Sequence, residues 1–203
     1  MAHHIGRFIN EVAKAGKAEL NIPMYANAWL GLTKLLLEHL TAATPATHAL
    51  IALMNFNAAR LPARADAWGN LSSLFDQDRT LWDQDLVSEG LKHLELSASG
   101  VELTEYHVEA AIASVHATAA RTEDTNWATI VEFYNALIKI RPSPVVALNR
   151  AIAVAQHEGP RRGLEEIYAI ENRDRLSTYP FYPAALGELE FRCRSPSALA
   201  YYF

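Results

Sequence analysis

The feature that most constrains this chain is its helical periodicity, which recurs along nearly its whole length and never gives way to strand–helix alternation. Apolar residues fall three and four apart, so each segment carries one stripe that must be buried against another helix. Over residues 21–39, after Asn21-Ile22-Pro23, the stripe is Leu32, Leu35 and Leu36, with Leu40 just beyond. Thr44-Pro45 is an N-cap followed by proline at the first helical position, where a missing N–H costs nothing. The helix it opens carries Leu50, Leu53, Met54 and Ala58, and Pro62 stops it. Residues 63–77 break the period, and the turn signal Trp68-Gly69-Asn70 suits a small β-hairpin near 63–75. Past Asp78, Trp82, Leu86, Gly90 and Leu94 form the next stripe, flanked by Val87 and Leu91. Thr104 caps a helix with Val108, Ala111, Ile112, Val115 and Ala119 inward. Asp124 or Thr125 caps the next, which turns Trp127, Ile130, Tyr134, Leu137 and Ile140 inward. Ser143-Pro144 opens another, ended by Gly159 as a left-handed C′ residue and restarted by Pro160, and Ser195-Pro196 repeats the signature. The expected fold is all-α, built of antiparallel helix hairpins.

The spacing after Trp127 is that of tetratricopeptide (TPR) repeats, helix hairpins of about 34 residues. Ile130, Phe133, Tyr134, Leu137, Ile140 and Pro142 fit a second helix and its closing proline. Leu148, Ala151, Ile152 and Ala155 fit the next first helix, with Gly159 at the turn, Leu164 beyond it and Leu186-Gly187 in the following unit. One hairpin cannot bury its own stripe, so neighbours stack through small residues into a superhelical array. Three regions are therefore expected: a poorly defined 1–20, a helical 21–122 with an irregular loop at 62–77, and TPR-like repeats over 123–203 whose last hairpin is truncated.

Composition narrows the function classes. Half of the 203 residues are hydrophobic, enough to offset ordering entropy and to bury roughly 70% of the unfolded surface. The net charge of −5 argues against an independent nucleic-acid binder. The longest uncharged stretch, 40–59, is too polar to span a bilayer. Cys193 is the sole cysteine, which excludes an intrachain disulfide or Cys-based zinc site, and no signal-peptide core opens the chain. A reducing cytoplasm is the expected compartment, with no cofactor and no metal.

The sharpest enzyme-like string is FDQDRTLWD over 75–83. It resembles the first motif of haloacid-dehalogenase-type phosphatases, in which the first Asp is a nucleophile and the second a general acid/base around Mg²⁺. Asp76 and Asp78 would hold those roles, but Arg79 replaces the usual glycine and 70–74 makes a poor buried strand. The competing reading is local: Asp76 and Asp78 cap the helix carrying Trp82, and Asp83 lies one turn from Arg79. Asp85, Glu89 and His93 share a helix face that reads as a solvated stripe, not a metal site. His107 and His116, nine apart, lie on opposite sides of one helix and cannot share an ion unaided. Cys193 between Arg192 and Arg194 reads as a packed thiol, and the other basic residues are scattered pairs.

Six segments in order carry a family resemblance: 28–38 (AWLGLTKLLLE), 49–64 (ALIALMNFNAARLPAR), 74–90 (LFDQDRTLWDQDLVSEG), 106–116 (YHVEAAIASVH), 123–134 (EDTNWATIVEFY) and 143–155 (SPVVALNRAIAVA). Together they resemble the C-terminal, TPR-like extension of a group of extracytoplasmic-function sigma factors of the sigma-70 family. Phe75 stands where such extensions usually have Glu, and Thr80 where Ser is usual. The regions that melt and read promoters are not found in these residues, so no direct DNA binding is expected of this chain alone. The resemblance implies a regulatory role in bacterial transcription initiation, with sigma core regions or RNA polymerase as partners. By analogy with peptide-gripping repeats, Asn149, Ala153, Gln156 and His157 would face the groove beside Arg150. Arg60, Arg64, Asp76, Asp78, Arg79 and Trp82 would supply a second protein-binding surface. The readings set against this are the phosphohydrolase and a free-standing peptide-binding scaffold. An equally available role for Arg150 is pairing with an acidic helix.

Overall fold

A computed structural model describes residues 43–64 and 72–194, with Gly31 at an isolated helical position. Among these residues the fold is all-α, with seven α-helices, four 3-10 turns and no strand. The helices are α1 (Pro45–Ala59), α2 (Gln84–Ser97), α3 (Glu105–Thr118), α4 (Trp127–Ile140), α5 (Pro144–Glu158), α6 (Pro160–Tyr168) and α7 (Phe181–Arg194). The expected helix over 21–39 and the Ser195-Pro196 cap lie outside the described residues. So does the centre of the hairpin expected near 63–75. On its flanks Leu61–Ala63 is a 3-10 turn, and Ser72 N donates to Arg64 O at 2.9 Å.

The chain divides into two compact units between Thr125 and Asn126. In the first, α1 packs on both α2 and α3, and those two pack on each other. Alanines let the helices approach: Ala52, Phe56, Ala59, Ala63, Trp82, Val87, Ala110 and Ala117 form the core. Gly90 of α2 lies over the Phe56 ring, where an added Cβ would sit 2.7 Å from Cε1. Trp82 belongs to this core but not to α2. The 3-10 turn Arg79–Leu81 intervenes and α2 begins only after Asp83, whose carboxylate accepts from Asp85 N and Leu86 N. Leu91, expected beside the stripe, is exposed.

The caps show where local chemistry decides. Thr44 Oγ1 accepts from Thr47 N at 3.2 Å ahead of Pro45, as the sequence indicates. Thr104 caps α3, and His107 Nδ1 returns the bond by accepting from Thr104 N at 3.1 Å. The cap of α4 is Asn126, not Asp124 or Thr125, because Thr122–Asp124 is itself a 3-10 turn. His107 and His116, on opposite sides of α3, are both buried, so this helix is enclosed on two faces.

In the second unit each helix packs on its sequence neighbour, α4 on α5, α5 on α6 and α6 on α7, with α5 also touching α7. Residues 141–143 join α4 to α5 and Gly159 joins α5 to α6, whereas 169–180 separate α6 from α7. Leu148, Ala151, Ala155, Ile167, Leu176 and Leu189 form its core. The closest crossing is Gly163 on α5, where a Cβ would lie 2.3 Å from Ala155 Cβ. Gly159 takes φ 101 and ψ 161, a positive φ but not the left-handed helical cap expected. Pro160 restarts helix at once, so the chain needs a sharp reversal that only glycine makes without strain.

Candidate functional site

Three arginines, a histidine and a tryptophan converge in the first unit. Arg60 follows the last residue of α1, and Arg64 follows the next 3-10 turn. Asp78 caps the turn Arg79–Leu81 by accepting from Thr80 N at 2.9 Å and Thr80 Oγ1 at 2.6 Å. Asp83 N donates to Ala59 O at 2.9 Å, which ties the far end of that turn to the end of α1. These two ties bring Arg79 and Trp82 inward, to 8% and 3% exposure. The Arg60 and Arg79 guanidinium carbons lie 5.5 and 5.1 Å from the Trp82 ring centroid, in cation–π range.

Arg79 serves the fold directly. Its Nη1 donates to the His116 and Ala119 carbonyls, each at 2.9 Å, and its Nη2 to Thr125 Oγ1 at 3.1 Å. One side chain thus satisfies carbonyls that the C-terminal end of α3 leaves open. Burial lowers its pKa, partly offset by Glu123 and Asp124. Arg60 has a poorer environment. Its Nε donates to Gln77 Oε1 at 3.3 Å, and Gln77 in turn donates to Ser72 O. Burial, then the charges of Arg64 and Arg79, hold Arg60 down to about 10. Burial lowers Arg64 as well. His116 faces the same field: burial first, then Arg60 and Arg79, push it down to about 4, so it is neutral at pH 7.

Asp76 and Asp78 are not part of this interior. Both are exposed and locally engaged, Asp76 by Ser73 Oγ at 2.5 Å and Asp78 by Thr80. Among the described residues no strand precedes them. The residues expected to form one binding surface therefore separate: Arg79 and Trp82 face inward, Arg60 and Arg64 are half-buried, and Asp76 and Asp78 face out.

In the second unit the residues expected along a groove also part company. His157 is exposed and Asn149 and Gln156 are half-buried, but Ala153 is 1% exposed and lies inside the packing of α5. Ala153 cannot line an open groove. Arg150 takes the pairing role: Nε donates to Asn135 Oδ1 at 2.6 Å and Nη1 to Glu166 Oε2 at 2.5 Å. Arg162 joins through Glu166 at 2.6 Å, Glu165 at 3.1 Å and Glu158 at 3.6 Å.

The Asp85, Glu89 and His93 stripe resolves differently from a solvated face. His93 is buried, with Nε2 held by Glu89 Oε1 at 3.2 Å and Nδ1 2.9 Å from Nδ1 of His48 on α1. Among the described residues no group of three or more His, Cys, Asp or Glu could hold a metal ion. His48 was invisible as a partner from sequence, since 45 positions separate the two rings. Convergence on Trp82 has the same character. Its one sequence cue was that Arg60, Arg64, Arg79 and Trp82 sit in adjoining motifs.

Comparison with known proteins adds similarity without an activity. Residues 11–98 match the model of a family of unknown function (DUF6596), a span containing Arg60, Arg64, Arg79 and Trp82. An uncharacterized protein of Rhizobium meliloti (strain 1021) is 40% identical over 158 residues, which is 78% of this chain. The chain spans 37% of that relative's length. No solved structure matches. No described helix is long and apolar enough to cross a membrane.

Proposed function

We propose that this chain is a non-catalytic protein-interaction module of bacterial transcription initiation, acting as the C-terminal extension of an extracytoplasmic-function sigma factor does. The observation that carries the reading is the ordered set of six motifs over 28–155. Two features of the fold support it. The second unit stacks helix on sequence neighbour, an architecture whose usual use is to present a surface to another protein. In the first unit, the loop held by the Ser73–Asp76 and Asp78–Thr80 bonds leaves Phe75 and Leu81 exposed at 41% and 54% beside two carboxylates. Large apolar side chains on a braced loop suit a docking point for sigma core regions or RNA polymerase.

The test is capture of purified sigma core regions and RNA polymerase on the immobilised chain. Retention of either, weakened at least tenfold by the double change Phe75→Ser and Leu81→Ser, supports the reading. Failure to retain either one sinks it. A Mg²⁺-dependent phosphatase assay addresses the opposing class: activity lost on Asp76→Asn would overturn the non-enzymatic assignment.

A further inference from the structure

The geometry points to an oxyanion-binding site in the first unit, formed by Arg60, Arg79 and Trp82, for a phosphate or carboxylate group. This inference is independent of the transcription reading. It begins from an inventory of donors. Among the described residues the Arg60 guanidinium makes one hydrogen bond, from Nε, and no ion pair. Two further N–H groups beside it are buried without an acceptor, Trp82 Nε1 and Arg79 Nε. Both belong to residues more than nine-tenths buried. The cation–π distances place both guanidinium groups around the same indole.

What Arg60, Arg79 and Trp82 themselves leave over is donor and net positive. Arginine has no acceptor atom and indole N–H only donates, so these groups cannot satisfy one another. Arg60 is half-buried, so part of its guanidinium stays within reach of a solute, and a second cation nearby raises the cost of leaving its charge unmatched. Water could accept from one donor but would bring no charge. An oxyanion supplies several acceptor lone pairs and the missing negative charge together, and guanidinium forks bind such groups well. The carboxylates nearest the cluster, Glu123 and Asp124, act on Arg79, and Asp124 is already held in both its oxygens by Arg121.

His116 is a built-in reporter. Burial first, then the Arg60 and Arg79 charges, hold it neutral, so an anion that offsets those charges raises its pKa.

The experiment uses the full chain, with inorganic phosphate and acetate as probes against sodium chloride at equal ionic strength. Thermal unfolding of the wild type should shift up by about 5 °C at a hundredfold excess over Kd. Arg60→Gln should abolish that shift, whereas Arg162→Gln should keep it. A shift with phosphate alone assigns a phosphate-bearing ligand, and one with acetate assigns a carboxylate. Both outcomes support the site. If Arg60→Gln does not fold, the His116 ring titration followed by NMR in the wild type decides the matter. Phosphate or acetate should move it upward by about one pH unit or more. An unmoved titration, or equal thermal shifts in the wild type and Arg60→Gln, would overturn the proposal.

Discussion

Two arginine clusters, one in each unit, are handled in opposite ways. In the second, Arg150 and Arg162 are each matched with glutamate: Glu166 serves both, and Glu158 and Glu165 complete the set on Arg162. In the first, Arg60 and Arg79 flank a buried indole, and Arg60 has no carboxylate partner among the described residues. Charges balanced across neighbouring helices brace a stack. A cationic interior without such balance is either structural, as for the donors of Arg79 that hold α3, or kept for something that binds. The contrast separates residues that hold the fold from one whose environment the fold leaves unresolved.

Four measurements probe that contrast, beginning with the largest effect. Arg79→Met removes a donor from two carbonyls and Thr125 together. It should cost about 4 kcal/mol in urea unfolding, whereas Arg60→Met should change stability by less than about 1 kcal/mol in anion-free buffer. Equal losses would erase the distinction between a fold-holding and a ligand-holding arginine. Acidification comes second. His116 has a folded pKa depressed to about 4, so the unfolded chain, near 6.5, binds its proton first. Stability is full above about 6.5 and is lost as pH falls through 4, by about 3 kcal/mol. His116→Gln should flatten that slope. His93, lowered by burial despite Glu89, contributes in the same direction.

Third, Gly163→Ala forces a methyl against the Ala155 side chain and backbone, which should cost about 2 kcal/mol and loosen the second unit alone. Hydrogen exchange slowed or unchanged in α5 and α6 would contradict this. The smallest effect is Glu166→Gln, expected at about 1 kcal/mol, because Arg162 keeps two other partners and lies near the surface. Its effect should shrink with salt. If it exceeded that of Arg79→Met, the second unit would depend on charge more than the first does.

Much of the fold was readable because helix starts are local events. Thr44-Pro45, Thr104 and Ser143-Pro144 each mark a start that the structure keeps. The misread cap of α4 comes from competition for the same side chains. Asp124 pairs with Arg121 and Thr125 accepts from Arg79, so Asn126 is left to cap α4. Ala153 illustrates another limit: α5 touches three other helices, so a groove deduced from one hairpin face is filled by the next.

The sequence alone determined the all-α class and the helix starts at Thr44-Pro45, Thr104 and Ser143-Pro144. Those depend on residues within one or two turns of each other, where backbone geometry sets the outcome. Only the tertiary structure decided which charges meet. Arg79 reaches Thr125 across 46 positions, and His48 meets His93 across 45. No short-range pattern encodes such distances. They follow from which apolar faces pack, and the polar groups carried with those faces must then find partners or wait for one.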